Sequence, residues 1–188
     1  AVRHDDFSAF DDATTFRASV LIRPVQQLGL HAAYGEGIAQ PSFFDLHGFF
    51  PGSFVGNPGL RPEHSRGWEA GIAWRGDAVE LGATWFSARL TDEIVDVFDP
   101  ATFLSSTENA SGRSGRDGVE LVASYRHASW LNFRANYTWL DADEQRVAGT
   151  ALVREVRRPR HSANVVAHGT ASRFRWGASL AICRNLGL

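Results

Sequence analysis

The feature that most constrains this chain is a two-residue period that returns along nearly all of its length. Trp68, Ala70, Ile72 and Trp74 alternate with Glu69, Gly71, Ala73 and Arg75. Phe16, Ala18, Val20 and Ile22 alternate with Arg17, Ser19 and Arg23, and Leu28, Leu30, Ala32 and Tyr34 with Gly29, His31 and Ala33. The pattern recurs from Val79 to Trp85, Val119 to Tyr125, Leu131 to Trp139 and Phe174 to Ile182. Successive side chains of a strand point to opposite faces, so each segment reads as a strand with one apolar and one mixed face. A weaker segment at Ser162 to Gly169 and a fragment before Phe10 bring the count to about nine strands, with no convincing helix. The fold class is therefore all-β, an antiparallel meander.

The connections narrow the architecture. They fall at Ala9 to Ala13, Pro24 to Gln27, Gly37 to Glu63, Gly76 to Ala78, Thr91 to Arg116, His127 to Ser129, Ala142 to Arg158, and Ala171 with Ser172. Every second one is short, and the long ones share a parity. Successive strands reverse direction, so the long loops, with Phe49 and Asp96, gather at one end. The turns at Gln26, Asp77 and Ala128 gather at the other. Long structureless loops are uncommon inside a compact domain. Tight turns at one end and long loops at the other are the layout of a membrane β-barrel. No apolar run is long enough for a spanning helix, and that excludes only helical membrane proteins.

The faces agree with a barrel wall. The mixed face carries Arg17, His31, Glu69, Arg75, Glu80, Glu120, Arg126, Asn132, Arg134, Asn136 and Arg175. A small soluble barrel fills its interior with apolar side chains, whereas a wide barrel in lipid has a wet lumen and an apolar outer band. Trp68, Ile72, Trp74, Leu81, Trp85, Leu121, Phe133, Tyr137 and Trp176 are expected on the convex face. Tryptophans and tyrosines near strand ends suit aromatic girdles at the two membrane interfaces.

The stretch "NPGLRPEHSRGWEAGI", Asn57 to Ile72, resembles a motif of TonB-dependent outer-membrane receptors: Asn57, Pro58, Leu60, Pro62, Glu63, Ser65, Glu69 and Gly71. Three further stretches resemble the same family in the same order, "LHAAYGEGIAQPSFFDLHG", "ENASGRSGRDGVELVASY" and "RRPRHSANV". The layout looks closest to the vitamin B12 and siderophore receptors. The resemblance implies a wall segment of about nine strands from a roughly 22-stranded barrel in the outer membrane of a Gram-negative bacterium. It implies active uptake of a scarce metal chelate, whether ferric siderophore, cobalamin or haem, driven by the TonB-ExbB-ExbD energy-coupling system through a plug domain and TonB box. Neither plug nor box is visible, so residues 1–188 are expected to be a partial barrel domain from the C-terminal half, without its last strands. Its two outer strands would then leave unpaired edges, and alone it should aggregate or need detergent. A passive porin-like or adhesin barrel and a soluble all-β binding domain are the alternatives.

The motif has a physical reading of its own. Asn57, Pro58 and Pro62 favour turns and extended chain, and proline belongs just ahead of a strand. The motif is expected to bring a long loop back to the rim and fix where pairing restarts. The loop "PSFFDLHGFFPGSFVG" holds Phe43, Phe44, Phe49, Phe50 and Phe54, which either pack on a plug or neighbouring loops, or line a site for a large, partly apolar ligand.

No catalytic constellation stands out, and an enzyme is not expected. No cofactor is expected. The carboxylates at His4 to Asp6 and Asp141 to Glu144 lack EF-hand spacing, His31, His127, His161 and His168 lie on separate elements, and no metal site is expected. Net charge is -2 with 19 basic residues, all Arg, which gives no field for nucleic acid. Cys183, the one cysteine, rules out an internal disulfide.

Overall fold

In the computed structural model the alternating segments are strands of a single antiparallel meander. It describes residues 1–185 apart from 9, 49, 51, 128, 129 and 157. In chain order these are β1 (Val2–Asp5), β2 (Ala13–Val25), β3 (Leu28–Ala39), the short helix α1 (Phe43–His47), β4 (Glu63–Arg75), β5 (Val79–Thr91), β6 (Ile94–Asp99), β7 (Leu104–Asn109), β8 (Arg113–His127), β9 (Leu131–Glu144), β10 (Val153–Arg154), β11 (His161–Ala171) and β12 (Phe174–Arg184). Hydrogen bonding runs β1-β2-β3-β4-β5-β8-β9-β11-β12, with β10 added beside β9. These nine strands on one path are those that the periodicity predicts. The other two, β6 and β7, form a separate hairpin within the loop between β5 and β8.

Register decides what each face presents, because directly opposed residues point to the same side. One row across the sheet reads Ile22, Leu30, Ile72, Ala83, Leu121, Tyr137, Ala163, Ile182. The adjacent row, one residue along each strand, reads Leu21, His31, Gly71, Thr84, Glu120, Thr138, Ser162, Cys183. The first is apolar throughout and the second is mostly polar or small. Tyr34 and Trp68 are opposed on the apolar face, their rings 4.4 Å apart, and Trp74 stands opposite Leu28 and Leu81 nearer the short turns.

Almost nothing is buried. Among the described residues the buried apolar side chains are Leu60, Ala110 and Ala142, while Trp68 is 59%, Leu121 43% and Ile72 47% exposed. Among the described residues every substantial contact between elements joins hydrogen-bonded neighbours, and no second sheet covers either face. Each large apolar side chain left in water forgoes about 1.5–3 kcal/mol of burial. A face of this extent needs an apolar medium outside the chain.

The connections alternate as expected. Turns beside Gln26 and Asp77 lie at one end of the sheet, and residues 40–62, 92–112 and 145–160 return at the other. Ala128 and Phe49 fall outside the described residues. The long connections are more ordered than the sequence pattern implies. Residues 94–109 form a hairpin, and 43–47 form one helical turn where no helix is expected. The strands also run further toward that end: β8 begins at Arg113 and β9 continues to Glu144. Strands of 13 to 15 residues such as β4, β5, β8 and β9 exceed the roughly 9–11 that a tilted strand needs to cross a bilayer.

Candidate functional site

The long-loop end is a built assembly. In the first loop, Ser42 caps α1: Asp45 N–H donates to Ser42 Oγ at 3.1 Å and Ser42 N–H to Asp45 Oδ2 at 2.9 Å. This reciprocal box is what a Ser followed three residues later by an acceptor side chain supports. The chain leaves the helix through Gly48, at a φ of 66°, and folds back so that Gly56 lies against it. A Cβ on Gly56 would come within 2.5 Å of His47 N. Only glycine permits so close a backbone approach.

The phenylalanines of this loop do not act as one group. Phe44 stacks on Phe54 at 4.3 Å, and Phe50 meets Phe44 edge-on at 6.3 Å. Phe43 points away, beside His47 at 4.6 Å, and is 75% exposed. Phe44 and Phe54 thus hold the loop's own shape, while Phe43 and half-exposed Phe50 face outward. Phe49 lies outside the described residues.

Residues 57–63 tie this loop to the hairpin. Asn57 N–H donates to Asp45 O at 2.7 Å, its side-chain amide donates to Thr107 O at 2.9 Å, and its Oδ1 accepts from Gly59 N–H at 3.0 Å. Leu60 is buried. Arg61 N–H donates to Asn109 Oδ1 at 2.8 Å, and Asn109 Nδ2 donates back to Arg61 O and to Asp92 O. Arg61 also pairs with Asp92. Glu63 Oε1 accepts from Ile94 N–H at 2.7 Å. Residues 53–55 run beside β7, with Val55 N–H donating to Ser105 O at 2.8 Å and Ser106 Oγ to Val55 O at 2.7 Å. Prolines 58 and 62 fix the extended path through these contacts. Ser65, Glu69 and Gly71 lie further along β4: Ser65 Oγ donates to Gly37 O at 3.3 Å, Glu69 sits on the polar face opposite Phe86 and Ala33, and Gly71 lies opposite His31.

The third long connection is bound in by charge. Arg116 donates to both carboxylate oxygens of Glu155 at 2.9 and 3.0 Å, and Arg158 donates to the same group at 2.7 Å. Burial alone would raise the Glu155 carboxyl, but these two guanidinium groups outweigh it and hold the carboxyl below its ordinary value. Glu93, next to the hairpin, lies 3.8 Å from Arg116 and so joins the two loops electrostatically. Asp99, at the hairpin tip, is held below its ordinary value by hydrogen bonds from Thr102 and the Ala101 N–H.

The outward surface of this assembly is aromatic and charged. Phe98 and Phe103 at the hairpin tip are 59% and 76% exposed and meet edge-on at 6.3 Å. The sequence reading missed both, along with Asp92, Thr107 and Asn109 as partners of the motif. Nearby, a cleft lined by Asp11, Asp12, Arg61, His64 and Asp92 opens between the 6–12 loop and the motif. Among the described residues no group of three or more His, Cys, Asp or Glu is placed to hold a metal ion. The arrangement suits contact with a large molecule that presents apolar and polar surface together.

A family model described as "TonB dependent receptor-like, beta-barrel" matches residues 1–187. The siderophore receptor PirA from Pseudomonas aeruginosa superposes with a TM-score of 0.76 at 18% identity, over 96% of this chain and 33% of that one. A mutant ferric enterobactin receptor (PfeA) from Pseudomonas aeruginosa, in complex with enterobactin, gives 0.74 at 17% identity, over 96% and 29%. The FrpB iron transporter from Neisseria meningitidis gives 0.68 at 14% identity, over 91% and 26%. At these identities the likeness is one of fold, and the chain spans a third or less of each of those proteins. With the family model matched along nearly its whole length, and the meander, its two faces and its long-loop end all in place, the chain belongs to the TonB-dependent receptor-like β-barrel family.

Proposed function

We propose that this chain is a stretch of the wall of a Gram-negative outer-membrane receptor that imports a metal chelate with energy from the TonB-ExbB-ExbD system. The observation that carries this is the pair of adjacent rows, one apolar from Ile22 to Ile182 and one polar from His31 to Ser162. Lipid on one side and a wet lumen on the other satisfy both at once. The long loops then face outward. Phe43, Phe50, Phe98 and Phe103 offer apolar contact area to an incoming molecule. The names of the similar solved receptors favour a ferric siderophore over cobalamin or haem. A chelate also brings its own metal donors, so this wall need not supply a metal site. The role is transport and binding rather than catalysis.

Single cysteines in the full-length receptor, with Cys183 removed, test the orientation. A membrane-impermeant thiol reagent on intact cells should label positions 43 and 96 and spare 26 and 77. Labelling of 26 or 77 with protection of 96 would overturn it. For the cargo, the purified full-length receptor should bind a ferric siderophore and gain nothing from cobalamin or haem, and Phe43→Ala with Phe50→Ala should weaken that binding. Tight binding of cobalamin or haem instead would sink the siderophore assignment.

A further inference from the structure

The hairpin of β6 and β7 carries a charge pattern of its own. Residues 92–112 hold Asp92, Glu93, Asp96, Asp99 and Glu108 and no basic residue, in a chain whose 19 arginines nearly match its 21 acidic residues. Asp92 is paired with Arg61, and Glu93 lies beside Arg116 and accepts from Ser114 Oγ. Asp96, Asp99 and Glu108 are exposed. Among the described residues none of these three forms an ion pair. The third long loop is rich in arginine, but Arg146 is paired with Glu144, Arg158 with Glu155 and Arg160 with Asp141. Two rings stand among the free carboxylates. Phe98 and Phe103 flank the turn that closes the hairpin, meet edge-on at 6.3 Å and are mostly in solvent. Asp99 shapes that turn by accepting from Ala101 N–H and Thr102 Oγ1, and Phe103 leaves it at a φ of 57°. This left-handed conformation suits glycine and is uncommon for a bulky side chain, so the turn itself calls for no ring at 103. Asp96 and Phe98, two apart on β6, share one face of the hairpin, whereas Glu108 lies on the other, opposite Val95.

We infer that the hairpin tip binds an organic cation, a protonated amine borne by the imported chelate, at the rings of Phe98 and Phe103 and the carboxylates of Asp96 and Asp99. The inference rests on the reading of the full receptor as a siderophore importer. Charge complementarity carries it. A phenyl face and a carboxylate both attract an ammonium group, and the ring also covers the alkyl carbons beside it. No basic residue of the hairpin competes for those carboxylates. A polyanionic chelate would meet repulsion at the same surface. The tip therefore selects among ferric chelates, favouring one with a free amine over one with net negative charge.

The test measures binding of three ferric chelates to the purified full-length receptor. They are a linear tris-hydroxamate with a free terminal amine, the same chelate with that amine acetylated, and an anionic tris-catecholate. The free amine should bind about ten-fold tighter than its acetylated form, as expected for exposed ring and carboxylate contacts acting together. The preference should shrink with added salt. Asp96→Asn with Phe98→Leu should reduce it about three-fold or more, since leucine keeps apolar area and removes the ring face. Phe103→Gly should also reduce it, and glycine suits the left-handed φ, so the turn should stay folded. Glu108→Gln, on the other face, should change it little. An equal loss from Glu108→Gln would show a diffuse acidic field in place of a site and overturns the proposal. Equal affinity for the two hydroxamates, tighter binding of the catecholate, or a preference that survives the tip substitutions also overturns it, while leaving the siderophore reading intact. Binding of none of the three chelates defeats the siderophore reading itself, and the cation site with it.

Discussion

The side-chain amide of Asn57 donates to the backbone carbonyl of Thr107 over 2.9 Å, joining two loops across 50 residues of chain. Asn57 also closes a turn onto Gly59 and donates its N–H to Asp45. One residue thus fastens the helical turn, the motif and the hairpin. Asn57→Ala should release the hairpin locally at a cost of about 1–2 kcal/mol. Hydrogen exchange over residues 94–109 should quicken while the strands stay protected. Unchanged exchange there would show that Asn57 is not the fastening.

Gly118 lies between β5 and β9, where a Cβ would strike the ring of Phe86 and come 2.7 Å from Trp139 O. The backbone atom cannot turn aside as a ring can. Gly118→Ala should therefore destabilise the sheet by about 1–3 kcal/mol, the range for overpacking. Phe86→Ala should relieve only part of that loss. Urea titration of the receptor folded into lipid vesicles measures both.

The two rows give a sharper pair of outcomes. Leu121→Arg places a charge on the apolar face between Ala83 and Tyr137, and should cost about 2–4 kcal/mol if that row lies near the bilayer midplane. Thr84→Arg, one row over and opposite Glu120, should cost less than about 1 kcal/mol in the wet lumen. Equal costs in the same vesicle titration would contradict the assignment of faces.

Glu155 should make the third loop sensitive to acid. Its folded value lies below the ordinary 4.5, so the stability it contributes is present above 4.5 and is lost as pH falls through the depressed value. Proteolysis within residues 145–160 should be flat from neutral pH to about 5 and rise in more acidic buffer. Glu155→Gln should remove that acid step and raise cleavage at neutral pH, because Arg116 and Arg158 lose their shared acceptor. An acid-tolerant protease is needed for the comparison.

The sheet was legible because its information is local. A period of two is visible within any single strand, and reversal at each turn fixes which connections share an end. The family motif was legible as residues in order. The loop assembly was not, since its bonds cross long separations: Asn109 to Arg61 spans 48 residues and leaves no trace in either neighbourhood. The hairpin did leave a faint one, in the β-rich run Ile94, Val95, Val97 and Phe98, but six residues without clean alternation look like loop. The capping pair Ser42 and Asp45 was a readable sign of α1 that a search for longer helices passes over. The division of the phenylalanines, with Phe44 stacked on Phe54 and Phe43 outward, depends on the fold-back at Gly56, which sequence order alone does not reveal.

The first two long loops are bonded to one another as well as to the wall beneath them. Donor and acceptor of two of the fastenings sit on different connections, Asn57 with Thr107 and Arg61 with Asn109. This has a consequence for inheritance. A lineage that acquires a new 40–62 segment without its matching 92–112 segment receives half a lock. The two should therefore travel together through recombination, as one exchangeable cartridge seated on an unchanged wall.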